Sequence, residues 1–219
     1  MKATLKIVEK LIEMKYIIGI LFILSAWRVN SIGQQNIYAD WPQDIIEKAN
    51  TAKDVAYLTD KEKEIILLFN LARTDGKKFA ETICQTYLDS TKIDQQDKFV
   101  KSLLKDLQKT SNLKPFKPQK DLFEIAKSHA IKSGKTGYVG HRNFNKRYDG
   151  ALQKYRTVGE NCDYGNSEPL DIVMNLLIDQ GVESLGHRKN ILNPEFINIG
   201  LSIQPHKEYR VNCVISFGG

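Results

Sequence analysis

Cysteine is scarce in this chain of 219 residues, which has only Cys84, Cys162 and Cys213. That count excludes a disulfide-dense miniprotein. No Cys-x-x-Cys pair and no Cys/His finger spacing occurs, so a structural zinc knuckle is excluded too. Proline is held to 6 residues and glycine to 14. Repeats and low-complexity tracts are missing, which rules out a collagen-like or wholly disordered chain. There is no Asn-x-Ser/Thr glycan acceptor, no His-Glu-x-x-His zinc motif and no nucleophile elbow. The apolar run Tyr16 to Ala26 falls well short of the roughly 20 residues that span a bilayer. A large excess of one charge is also lacking. The net charge is +6, and Lys2, Lys6, Lys10, Lys15 and Arg28 concentrate much of it in the first 33 residues. The remaining body is close to balanced, so nothing electrostatic points to nucleic acid.

What the N-terminus does contain is an address. Lys15 precedes the run YIIGILFILSA, and Ser31-Ile32-Gly33 follows with small residues at the −3 and −1 positions of a cut before Gln34. A charged flank, a short apolar core and a small-residue exit form the layout of a secretory signal peptide. Residues 1–33 are therefore expected to be removed, with Met14 an alternative start. The mature protein is expected to be secreted, extracellular or periplasmic, with no stable membrane anchor. An exported chain meets an oxidising compartment, so three cysteines suggest one bridge and one spare thiol.

Along the mature chain, residues 34–58 read as a lead-in with some helical character and residues 59–219 as one domain. Thr59 with Glu62 forms a capping box. Ile65, Phe69 and Ala72 then recur at helical spacing, which predicts a helix over 60–73. Further helical stretches are expected at 77–88, 99–109 and 119–133. Leu113 to Pro118 carries two prolines and reads as an extended connection. The C-terminal half changes character. A strand is expected at 158–164, a helix from Leu170 to near Gly181, and then two alternating runs at 197–204 and 209–217. The last two make an antiparallel hairpin around Pro205 to Glu208. Helices first and strands later define an α+β chain with a small antiparallel sheet covered by helices. Cys162 and Cys213 both fall on strands of that sheet, so Cys162–Cys213 is the expected bridge with Cys84 free. A reduced, buried pair is the alternative.

Four polar groups stand out after residue 136: His141, Glu160, Asp179 and His187. Asp171, Asn175 and Asp179 are spaced as a polar strip on one helix. Two imidazoles and two carboxylates suit a divalent metal or an acid/base site, although by chemistry alone they also describe solvated loops. His129 lies on an apolar helix face and reads as a satisfied core histidine. His206 reads as a solvated turn residue, Asn161 as a brace, and Arg188 as either a carboxylate partner or a surface group. The Lys-rich stretch 98–120 reads as a solvated helix face.

The words around these residues are more specific. Gly159-Glu160-Asn161, a helix from Asp171, and the run from Gly186-His187-Arg188 through Asn190-Ile191-Leu192, Pro194, Phe196 and Ile199-Gly200 resemble the CAP superfamily of cysteine-rich secretory, antigen 5 and pathogenesis-related proteins, in its bacterial secreted form with an SCP domain. The resemblance extends from about Glu62 to Phe217. It implies a three-layer α-β-α sandwich and a cleft with a histidine/acid tetrad. His141 takes the first histidine, Glu160 the first acid and His187 the second histidine. Asp179 stands where eukaryotic members have a glutamate, one methylene longer. The resemblance further implies that His141 and His187 can hold zinc or another divalent ion, with no organic cofactor. The implied partner of a monomeric protein is a small apolar ligand such as a sterol or lipid, or an extracellular protein. A metal-assisted hydrolase using Glu160 and Asp179 is the alternative, and binding is placed ahead of it.

Overall fold

The structure is a computed structural model describing residues 36–219, so the expected signal segment lies outside it. Ile37–Gly219 forms one compact unit, and segment 37–58 contributes Trp41, Ala49, Ala52 and Leu58 to its core. Helix α1 spans Gln43–Ala49. Helix α2 spans Asp60–Thr74 and opens on the Thr59/Glu62 capping box. Glu62 does more than cap: its second oxygen accepts from Ile203 N at 2.9 Å, tying the helix to the sheet.

The predicted helix over 77–88 is instead interrupted. Helix α3 (Gly76–Phe79) runs through a π turn (Ala80–Cys84) into α4 (Gln85–Thr91). A π turn inserts one extra residue into a helix that otherwise continues, and so small a shift of the apolar stripe is not legible over a dozen residues. Helix α5 is Lys98–Leu107, capped by Asp97, whose carboxylate accepts from Phe99 N at 2.7 Å. Strand β1 is only Lys117–Pro118, within the segment read as extended. Helix α6 is Lys120–Thr136 and stops at Gly137, whose φ of 72° suits glycine. A short helix, α7, covers Phe144–Tyr148. Strand β2 is Val158–Tyr164, as expected, followed by α8 (Pro169–Ile178) and α9 (Gly186–Leu192). Strands β3 (Asn198–His206) and β4 (Arg210–Gly218) form the C-terminal hairpin.

The sheet order is β1-β3-β4-β2. β3 and β2 each pair antiparallel to β4, while the two-residue β1 joins β3 in parallel. This is a three-layer α-β-α arrangement. One face of the sheet buries Ile199, Leu201, Cys213, Ile215 and Phe217 in the main core with α2, α8 and α9. The other face receives α6, with Ala126 and Ala130 against Cys162 and Val214. α6 lies so close that a Cβ on Gly200 would sit 2.0 Å from Phe123 N.

Two expectations are corrected here. His206 is not solvated. It is 3% exposed, with Nε2 at 3.1 Å from Tyr138 O and Nδ1 accepting from Glu208 N and Tyr209 N. The ring is a bracket that folds the hairpin tip back on the 138 segment. The Cys162–Cys213 bridge is also absent, and all three cysteines are free and buried. Cys162 pairs with Val214 across the β2–β4 ladder, and Cys213 pairs with Asp163. Side chains alternate along a strand, so a one-residue offset puts the two thiols on opposite faces. No disulfide passes through a sheet.

Among the described residues, no helix is long and apolar enough to cross a membrane.

Candidate functional site

Strand β2 carries polar side chains to both of its faces. Glu160, Cys162 and Tyr164 point toward the α6 layer, and Asn161 and Asp163 toward the α8–α9 layer. Burying a carboxylate costs free energy unless it is paired and hydrogen-bonded. Glu160 is 6% exposed and meets that condition on every side. Arg147 grips it with both guanidinium nitrogens, one at 2.8 Å from Oε1 and the other at Oε2. His141 Nδ1 donates to Oε1 at 2.9 Å, and Tyr148 OH donates to Oε2 at 3.2 Å. Tyr148 is shared with Ser216 Oγ at 2.5 Å. Burial pushes the Glu160 carboxyl upward, but the hydrogen bonds from His141 and Arg147 and the Arg147 charge outweigh it. The result is about 2. Glu160 is thus a fixed anion that orients His141 with its proton on Nδ1. The His141 side chain remains 47% exposed.

The other face is built around the start of α9. Asp179 ends α8 in a left-handed conformation (φ 58°). The expected polar strip along the helix therefore breaks at this residue. Its turned carboxylate accepts from His187 N at 2.9 Å and Arg188 N at 3.2 Å, satisfying donors of the first turn of α9. The other oxygen takes His187 Nδ1 at 2.7 Å. Asp179 is 2% exposed. Asn161 braces the same helix: its amide donates to His187 O at 3.0 Å and accepts from Asn190 at 2.8 Å. Asp163 accepts from Asn175 at 2.5 Å and Asn166 at 3.0 Å. Burial raises its carboxyl above the usual range, opposed by those amides and by the nearby His187.

The Arg188 side chain is neither at the surface nor paired with a site carboxylate; only its backbone N–H reaches Asp179. It is 1% exposed. It donates to Leu177 O and Ile178 O at the end of α8, to Phe99 O and Ser102 Oγ on α5, and to Asp106. One guanidinium thereby closes the carbonyl end of α8 and holds α9 in place.

The structure thus groups the four singled-out residues as two histidine–carboxylate pairs, His141–Glu160 and His187–Asp179. They flank β2, an outer strand of the sheet. Among the described residues, no hydrogen bond or ion pair links one pair to the other. A second cluster brings donor atoms of His129, Glu160 and Cys162 within 4.8 Å of one another. It is poorly suited to a cation. Arg147 already neutralises Glu160, and His129 directs Nε2 to Gly140 O at 2.9 Å, as a satisfied core histidine does. Burial also raises the Cys162 thiol far above its usual range, with Glu160 adding to it. Sequence reasoning missed Arg147 and Tyr148. Their link to Glu160 spans 13 and 12 residues of irregular chain, for which no spacing rule exists.

Several known proteins are similar. The Bacillus subtilis protein YkwD, itself uncharacterized, is 26% identical over 161 residues, covering 71% of this chain and 59% of that protein. This chain therefore accounts for 59% of that relative's length. An outer surface protein from Borrelia burgdorferi matches at 23% identity and a TM-score of 0.42, over 57% of this chain and 95% of that one. An extracellular protein containing a SCP domain from Bacillus anthracis matches at 20% identity and a TM-score of 0.41, over 49% and 34%. The sequence profile of the CAP, or cysteine-rich secretory protein, family matches residues 68–217. That span runs from the interior of α2 to the end of β4 and takes in both histidine–carboxylate pairs, and the chain belongs to this family.

Proposed function

We propose that this protein is a secreted binding protein whose His141/Glu160/Asp179/His187 cleft holds a divalent ion, zinc foremost, and engages a small apolar ligand or an extracellular partner. One observation carries the reading. Each histidine gives Nδ1 to a buried carboxylate, at 2.9 Å for His141 and 2.7 Å for His187. That is how metal-binding imidazoles are held, because it fixes the ring and leaves Nε2 as the ligand atom. Two imidazoles braced by carboxylates fit a zinc-type ion. Such an ion would supply a Lewis-acid centre able to polarise a ligand oxygen.

Binding is favoured over hydrolysis by the state of the two acids. Glu160 is held ionised and both of its oxygens are engaged, so it is a weak general base. Asp179 spends its oxygens on three N–H groups of His187 and Arg188. The test is the metal content of protein purified without chelator or histidine tag. About one equivalent of zinc is expected, lost in a His141→Ala/His187→Ala variant. Asp179→Asn should weaken zinc affinity about 10–100-fold, as loss of a ligand-orienting partner does. Wild-type protein that takes up no metal even with added zinc overturns the ion.

A further inference from the structure

We infer that Tyr164 and His129 are positioning residues for His141, holding the main chain of Gly140 so that the imidazole stands on Glu160. The His141 side chain is half-exposed and springs from the irregular stretch between α6 and α7. No helix or strand fixes its backbone. Gly140, just before it, has a φ of 110°, a conformation that glycine adopts readily and other residues do not. Ordering an exposed ring on such a chain costs entropy, which one hydrogen bond to Glu160 offsets only in part.

The segment is anchored from three elements. On β2, Tyr164 OH accepts from Gly140 N at 2.9 Å. On α6, His129 Nε2 donates to Gly140 O at 2.9 Å. At the end of β3, His206 Nε2 donates to Tyr138 O at 3.1 Å. Both polar groups of Gly140 are thus spent on side chains of two different elements, and the residue cannot shift without breaking one of these bonds. Register adds to the grip. Glu160 and Tyr164 lie four residues apart on β2 and share a face. The strand therefore meets this segment at two points, the imidazole at Glu160 and the preceding peptide at Tyr164. The separation of the two points is set by the extended backbone of β2, which pairs with β4 along its whole length. On the opposite face Asn161 donates to His187 O at 3.0 Å, so one strand anchors the main chain beside each histidine. The geometry is independent of any ion, and only its consequence for zinc rests on the function proposed above.

Nuclear magnetic resonance of metal-free protein with 15N-labelled histidine tests this. Each imidazole bound to a carboxylate gives an Nδ1–H signal, and that of His141 is identified by its loss in His141→Ala. Tyr164→Phe removes one hydroxyl and keeps the ring against His206 and Tyr209. It should speed exchange of the His141 Nδ1 proton with water at least tenfold and leave the His187 Nδ1 proton unchanged. A general loosening of the fold would speed both. His129→Leu should act as Tyr164→Phe does, whereas His129→Gln, which keeps an N–H donor, should retain most of the protection. Tyr155→Phe, which loses a hydroxyl bound to Asp121 instead, should match wild type. Zinc affinity measured on the same variants should fall about tenfold in Tyr164→Phe, as loss of a group that orients a ligand does. Wild-type protein that takes up no zinc overturns the ion alone, because the proton exchange is read without metal. A wild type without a His141 Nδ1–H signal, unchanged exchange at His141 in Tyr164→Phe, or equal acceleration at His141 and His187 overturns the positioning role. Equal exchange in His129→Leu and His129→Gln overturns the part given to His129.

Discussion

Glu160 owes its charge to its neighbours. Burial by itself raises its carboxyl, yet hydrogen bonds from His141 and Arg147 hold it at about 2 against a free value of 4.5. A folded value below the unfolded one stabilises the native state above pH 4.5. That contribution is lost as the pH falls from 4.5 toward 2. At about 1.4 kcal/mol per unit it amounts to about 3 kcal/mol. Glu160→Gln should therefore be destabilised by about that amount at pH 7 and show a shallower loss of stability between pH 4.5 and 2 in denaturant titrations. A variant that kept the wild-type acid slope would refute this account. At the same scale, His141, Glu160, Asp179 and His187 were legible because short words surround them. Arg147, Tyr148 and the true place of Arg188 were not. A helix end needs donors for its last carbonyls, but nothing local says that the donor for α8 is a guanidinium ten and eleven residues on.

At the scale of elements, the closest approaches at glycines among the described residues are those of α6 against the sheet. Gly200 on β3 lets the backbone of Leu122 and Phe123 approach, and Gly134 on α6 lets Pro205 O do the same. Gly200→Ala should cost about 3 kcal/mol or more by overpacking, because the obstructing atoms are backbone. Gly150→Ala, where nothing lies within 4 Å of the new methyl, should be neutral or slightly stabilising. Chemical denaturation of the two variants makes the comparison, and equal costs would mean that the close approach is not rigid. Elements with long periodic faces were readable from the chain: α2 with its capping box, β2, and the β3–β4 hairpin. Those that escaped were short or irregular. α7 and α9 have five and seven residues, too few to display a 3.6-residue period. β1 is a proline-containing pair of residues, and its partner is chosen by tertiary packing.

For the molecule as a whole, stability rests on packing and buried hydrogen bonds, with no covalent staple among the described residues. Arg73 shows how the layers are joined without one: it donates to Lys114 O, Ile191 O and Phe196 O and lies over the Phe116 ring at 3.9 Å. Alkylation in denaturant without reductant should label all three cysteines. The same reagent should react slowly with the native protein, since burial raises each thiol and shields it. A mass showing one labelled thiol would restore a bridge and require a different β2–β4 register. A small antiparallel sheet covered by helices was legible in the succession of helices and then strands, and the three-layer order came from the family resemblance. The absence of the bridge was not, because register is set by how two distant strands meet. Register matters in another way as well. Since β2 serves both layers by strict alternation, its length is a heritable constraint. A single codon gained or lost between Glu160 and Asp163 would invert the facing of the later side chains of the strand and so turn Asp163 onto the face of Glu160, whereas the turn at 165–168 could lengthen without disturbing either histidine. Natural variation in such a chain should therefore collect in its turns and spare this strand.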